Sequence, residues 1–170
     1  MKRLWAPWRV AYITAAKEPG CVLCDAPAGG DDRAALILHR DPLGYLILNR
    51  FPYNSGHLMA VPYRHVARLE ALTGDEMQAL MALTGLAVRA LERAMASEGF
   101  NVGLNLGRVA GAGIDDHLHI HIVPRWGGDT NFMPVLGDVK VLPENLEATY
   151  DRLAAALAAL TAVNHGPGRG

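Results

Sequence analysis

Three short apolar runs, Leu36-Ile37-Leu38, Tyr45-Leu46-Ile47-Leu48 and His57-Leu58-Met59-Ala60-Val61, are separated by turn-forming residues at Asp41-Pro42-Leu43-Gly44 and Pro52-Tyr53-Asn54-Ser55-Gly56. Runs of this length and punctuation predict consecutive strands that pair as an antiparallel meander. The period then changes. Thr73 and Glu76 form a capping-box pattern, and Met77, Leu80, Met81, Val88, Leu91 and Met95 recur at helical spacing until Gly99, which predicts one long amphipathic helix. Strand character returns at Asn101 to Leu106 and at His117 to Val123, the latter alternating His with aliphatic residues. Beyond Pro143, Leu146, Tyr150, Leu153, Leu157 and Leu160 step by four and three along a C-terminal helix. The expected fold class is α+β: a mainly antiparallel sheet of about five strands with one long helix and a C-terminal helix.

With 170 residues, 51% of them hydrophobic, the chain can bury one sizeable core without disulfides. Residues 1–33 hold both cysteines and a Pro/Gly/Asp-rich stretch from Pro27 to Asp32, and read as an extended arm followed by a loop. Residues 34–162 form the compact part, and 163–170 a frayed tail. The net charge is −1 and the sixteen Lys and Arg are scattered, so no basic stripe points to nucleic acid, and any phosphate bound is expected to be small. No apolar stretch of about 20 residues predicts a membrane span, and the N-terminus does not resemble a signal peptide. A cytoplasmic protein is expected. In a reducing compartment Cys21 and Cys24 are not expected to form a structural disulfide.

The candidate chemistry lies in His117-Leu118-His119-Ile120-His121. In a strand, His117, His119 and His121 would share one face while Leu118, Ile120, Ile122 and Val123 feed the core. Such a face could ligate zinc through three histidines or attack a phosphate. The outer two positions of a straight strand are about 13 Å apart, too far to close on one tetrahedral metal. A neutral imidazole with an ordinary pKa of about 6.5 is instead a competent nucleophile towards phosphorus. Asn105-Leu106-Gly107 and Ala110-Gly111-Ala112-Gly113 precede the run. Their glycines would let backbone N–H groups approach phosphate oxygens.

The run His117 to Val123 resembles the histidine triad (HIT) signature, His-φ-His-φ-His-φ-φ. The likeness extends through Leu48-Asn49-Arg50, Tyr53-Asn54-Ser55-Gly56-His57, Val61-Pro62-Tyr63-Arg64-His65, Asn101 to Gly107 and Pro124-Arg125-Trp126. It is similar to the bacterial branch related to diadenosine polyphosphate hydrolases and phosphorylases. The resemblance implies that His119 attacks the α-phosphate to form a nucleotidyl-histidine intermediate and that His121 binds the phosphate and supports the leaving group. It also implies Asn49 on the ribose, Asn105 and the loop around Gly111 and Gly113 against the phosphates, and His57 close to the triad. One departure is Gly113-Ile114-Asp115-Asp116, where many members carry a glutamine. It leaves open whether water or inorganic phosphate completes turnover. The family is usually a homodimer whose sheets continue across the interface.

Cys21-Val22-Leu23-Cys24 has ordinary zinc-ligand spacing. With His65 and with His117, at the start of its strand, it makes the candidate set for one structural zinc per chain, as in bacterial triad proteins with corresponding Cys, Cys, His and His ligands. Two other classes compete with a covalent nucleotide hydrolase or nucleotidyltransferase: a non-catalytic nucleotide-binding regulator, and a metal hydrolase that uses the triad as ligands.

Overall fold

The computed structural model describes residues 20–129 and 144–163. Expectations for the first part of the arm and for the tail at 164–170 lie outside these residues. The five expected strands form: β1 (Ile37–Asp41), β2 (Gly44–Leu48), β3 (Leu58–Pro62), β4 (Gly99–Gly103) and β5 (Ile120–Arg125). They make one sheet in the order β1-β2-β3-β5-β4, with every neighbouring pair antiparallel. The predicted meander is β1-β2-β3, and β5 inserts between β3 and β4.

The arm is not simply extended. α1 (Val22–Ala28) and α2 (Asp32–Ala35) are short helices, too brief to reveal a helical period in sequence. Asp31 starts α2 by accepting the Ala34 N–H at 3.0 Å, a local cap within what reads as a Pro/Gly/Asp-rich loop. α1 is fastened to the sheet by the buried Tyr45 hydroxyl, which donates to the Leu23 carbonyl.

The long helix α3 (Gly74–Met95) begins with the expected capping box: Glu76 N–H donates to Thr73 Oγ1 and Thr73 N–H to Glu76 Oε2. Its buried stripe is Leu80, Leu83, Ala87, Ala90 and Leu91, whereas Met77 and Met81 are 43% and 61% exposed. Small alanines supply the close contact that an apolar tally assigns to methionine. α4 (Leu146–Val163) joins α3 through Tyr150, Leu153, Ala156 and Leu157.

Strand alternation sorts residues onto two covered faces. Leu46, Leu48, Leu58, Ala60, Ile120 and Ile122 meet α3 and α4, while Tyr45, Ile47, Met59 and Val61 form a smaller cluster with Leu23 and Ile37. Met59 opposes His121 across the β3–β5 ladder, so the His121 side chain is on the face away from the long helices. Gly56, with φ +80°, lets the chain turn into β3; a Cβ there would lie 2.6 Å from Met95 Sδ and 2.9 Å from Leu91 Cδ2. The turn that delivers His57 is thus pressed against α3.

Candidate active site and metal-ligand cluster

The histidine run divides in a way that period-2 reasoning does not capture. β5 begins only at Ile120, and His117 lies in a bend before it. The Leu118 N–H donates to the Val66 carbonyl at 2.6 Å, which holds this approach away from the regular ladder. His119 and His121 remain neighbours, with ring centroids 4.7 Å apart and planes at 79°. His117 instead faces His65, at 5.0 Å between centroids, and the shared face expected for all three histidines is reduced to two.

Hydrogen bonds fix the imidazole tautomers. His119 Nδ1 lies 2.8 Å from the His117 carbonyl, which can only accept, so Nδ1 carries the proton and Nε2 keeps its lone pair. His57 is fully buried, and its Nδ1 accepts the Tyr53 N–H at 3.1 Å. A neutral His57 therefore carries its proton on Nε2, which donates to His121 Nδ1 at 2.9 Å. His121 must then carry its own proton on Nε2. The face presents one nucleophilic nitrogen, on His119, beside one N–H donor, on His121.

The Asn105 side-chain amide, with Nδ2 3.4 Å from His121 Nε2, is brought to the pair; with the proton on Nε2 the amide must turn over and offer Oδ1 to accept it. Asn49 has two contacts: Oδ1 accepts the Phe51 N–H at 2.9 Å, and Nδ2 lies 3.3 Å from His57 Nδ1. Its turn-forming role and its place beside the histidines coexist. Gly111 has φ +89° at the end of a 3-10 turn (Arg108–Ala110) in the loop between β4 and His117, and Gly113 follows in that loop.

Tyr53 is a site neighbour that sequence patterning does not single out. Its ring is 4.7 Å from His57 and 5.8 Å from His121. An aromatic residue four positions before a buried histidine, in a turn, was the available signal.

Burial lowers the pKa of His119, against the opposing effect of its bond to the His117 carbonyl. Burial, with His119 alongside, lowers His121 to about 4. Both imidazoles are held neutral, which moves the acid limb of any activity they share below the ordinary value of about 6.5.

Cys21, Cys24, His65 and His117 form a second cluster, with ligand atoms all within 4.8 Å of one another. Cys21 caps α1, and the N–H groups of Cys24 and Asp25 donate to its carbonyl at 2.8 and 2.9 Å. This first turn brings the two thiols to one side. His65 is held by its neighbour Arg64, whose Nε and terminal nitrogen donate to Glu76 at 2.8 and 2.6 Å. Cys21 Sγ lies 3.3 Å from His117 Nδ1, and Cys24 Sγ lies 3.3 Å from His65 Nδ1 and 3.4 Å from His117 Nδ1. Tetrahedral zinc separates sulfur and nitrogen ligands by about 3.6 Å, so the four residues fit with a slight expansion. His117 is also in the ligating tautomer: Nε2–H donates to the Pro62 carbonyl at 2.9 Å, leaving the Nδ1 lone pair on the cluster. Burial, then the neighbouring Cys21, pushes the Cys24 thiol up to about 11. A cation would reverse that preference.

The antiparallel α+β sheet thus carries, on one face, a histidine pair with one free ring nitrogen lone pair and one N–H. Residues 32–128 match the HIT domain, and the chain belongs to the HIT family. It is 44% identical over 163 residues to the AP-4-A phosphorylase of Mycobacterium tuberculosis, an alignment covering 91% of this chain and 83% of that protein. A Zn-bound histidine triad family protein from Mycobacterium smegmatis superposes with a TM-score of 0.70 at 25% identity, covering 85% of this chain and 97% of that one. A histidine triad nucleotide-binding protein from Sulfolobus tokodaii superposes with a TM-score of 0.69 at 23% identity, covering 88% and 100%. The last likeness bears on fold alone.

The tautomer chain is open to nitrogen-15 NMR of the resting protein. His119 is expected as the Nδ1–H form and His121 as the Nε2–H form, with His121 unprotonated down to about pH 4. In the interval from about 6.5 down to that value the unfolded chain takes up a proton that the native His121 refuses, so stability falls as pH is lowered through it. A His121 that titrates near 6.5 would contradict the assignment.

Proposed function

We propose that the protein is a nucleotidyl-transferring enzyme that cleaves a phosphoanhydride bond of a diadenosine polyphosphate, or a related nucleotidyl substrate, through an adduct on His119. The observation that carries this reading is the His119 Nε2 lone pair, fixed by the His117 carbonyl, with the His121 ring 4.7 Å away and held by His57 as the Nε2–H tautomer. Nε2 of His119 attacks the α-phosphate. The His121 N–H bonds the phosphate and the departing oxygen, and His57 holds His121 in its donor tautomer. Asn49 takes the ribose, and Asn105 with the backbone around Gly111 and Gly113 takes the phosphate oxygens, where fixed donors stabilise developing charge. Inorganic phosphate as the final acceptor is favoured by the 44% identity to a protein named AP-4-A phosphorylase. The absence of a glutamine at Gly113-Ile114-Asp115-Asp116 fits that choice; with water as acceptor the same enzyme is a hydrolase.

The Cys21, Cys24, His65 and His117 set is proposed to hold one zinc. Four protein ligands leave no open coordination position, so the metal anchors α1 to the sheet and does not activate water. The described residues include no helix long and apolar enough to cross a membrane. A cytoplasmic homodimer acting on small nucleotides, with no nucleic-acid or membrane partner, completes the reading; among the described residues β4 pairs only with β5, an edge along which the sheet can continue into a second copy.

His119→Ala is expected to lower kcat by at least about a thousandfold while leaving nucleotide binding largely intact, because only the covalent step needs that imidazole. With a chiral α-phosphorothioate substrate, two inline displacements give net retention; inversion would rule out the adduct and revive direct attack by the acceptor.

Metal analysis of untagged protein is expected to find one zinc per chain. Cys21→Ser with Cys24→Ser should release it and lower the melting temperature, with appreciable turnover in the protein that stays folded, whereas His119→Ala should keep its zinc. Wild-type protein without zinc, or zinc lost with His119, would refute the ligand assignment.

A further inference from the structure

Asp115, within the stretch that departs from the family pattern, has a specific partner. Its Oδ2 lies 3.1 Å from Nε of Arg108, across the glycine-bearing loop, with side-chain exposures of 30% and 75%. From Asn105 to His121, Arg108 is the sole Lys or Arg in the sequence. Asn105 contacts His121, and Arg108 follows it by three residues, in the loop that leads back to the histidine pair. The loop around it is open: a Cβ at Gly107 or Gly111 would meet nothing within 4 Å. Two other arginines on flanking segments are directed elsewhere, Arg50 to the Ala34 carbonyl at 3.3 Å and Arg125 to Asp129 and Asn101.

We propose that Arg108 grips the phosphate adjoining the one under attack and so selects substrates that carry such a phosphate. The inference rests on the His119 adduct. Inline displacement places the leaving group opposite the entering Nε2, and the acceptor returns along the same line. The departing polyphosphate and an incoming inorganic phosphate therefore occupy one position in turn, and one cation serves both. In the second half-reaction an oxygen of HPO4 2− forms a bond to the α-phosphorus. The P–N bond breaks and its electron pair returns to His119 Nε2, which leaves as neutral imidazole with Nδ1–H still donating to the His117 carbonyl. The phosphate proton stays on the nucleoside diphosphate product. Asp115 parks the guanidinium between turnovers; an exposed ion pair of this kind is weak, and a polyphosphate oxygen, with more charge and bidentate geometry, displaces it.

The test compares kcat/KM for diadenosine tetraphosphate with that for adenosine 5′-phosphoramidate, whose leaving group has no phosphate. Arg108→Gln is expected to lower the ratio of the two by about tenfold or more, the loss of one charge-assisted phosphate contact, and to raise the KM for inorganic phosphate by a similar factor. Asp115→Asn, which removes the parking carboxylate and keeps the guanidinium, should hold the ratio within about threefold of wild type. An unchanged ratio in Arg108→Gln would overturn the proposal. So would an equal fall in Asp115→Asn, since the pair would then be a loop brace. Failure of the covalent reading is visible separately, as wild-type protein that turns over both substrates without acquiring an adenylyl group.

Discussion

The arrangement turns on His117, whose side chain and backbone serve different sites. Its Nε2–H donates to the Pro62 carbonyl at the end of β3 and its Nδ1 faces the two thiols, while its carbonyl accepts the His119 Nδ1–H at 2.8 Å. The residue is 1% exposed. A buried imidazole deprived of either partner would carry an unsatisfied polar atom, so the bend is over-determined. Because the His119 lone pair is aimed by that carbonyl, the Cys/His cluster and the histidine pair share one short segment of backbone. The geometry of the cluster and the orientation of the His119 ring are therefore mechanically linked.

Around that segment the fold has a simple division of labour. Alternation along β2, β3 and β5 sends one set of aliphatics to α3 and α4 and leaves the opposite face for α1 and the histidines. The Arg64–Glu76 pair joins the chain leaving β3 to the capped start of α3, so the residue beside it, His65, is set by the same helix that supports the sheet. Glu76 is held down to about 2 by Arg64 and the Thr73 N–H. This tie therefore persists through mildly acidic conditions, whereas the neutral histidines are penalised there.

Most of the fold was legible because its strands are punctuated by Pro and Gly and its helices are long enough to show a period. α1 and α2 were not, because seven and four residues cannot display a stripe and their caps look like loop chemistry. Met77 and Met81 were misplaced onto the buried stripe for a related reason: apolar character counts them as core, while close packing against the sheet selects Ala87 and Ala90. Within the site, the place of His117 in the Cys/His set was expected from its position at the start of its strand and from the family resemblance, although alternation put it on one face with His119 and His121. The bend that parts it from them depends on Val66, a long-range partner invisible in a local pattern. Tyr53 and the Arg108–Asp115 pair share that invisibility, since both come together only through the turns that precede β3 and β5.

The central claim is that chemistry passes through Nε2 of His119. The most direct measurement is peptide mapping by mass spectrometry of wild-type protein mixed with diadenosine tetraphosphate in the absence of inorganic phosphate and quenched in alkali, which spares phosphoramidates. The account predicts one adenylyl group on His119 that disappears on addition of inorganic phosphate as ADP forms. Substrate consumption with no adduct, or an adduct on any other residue, would contradict it.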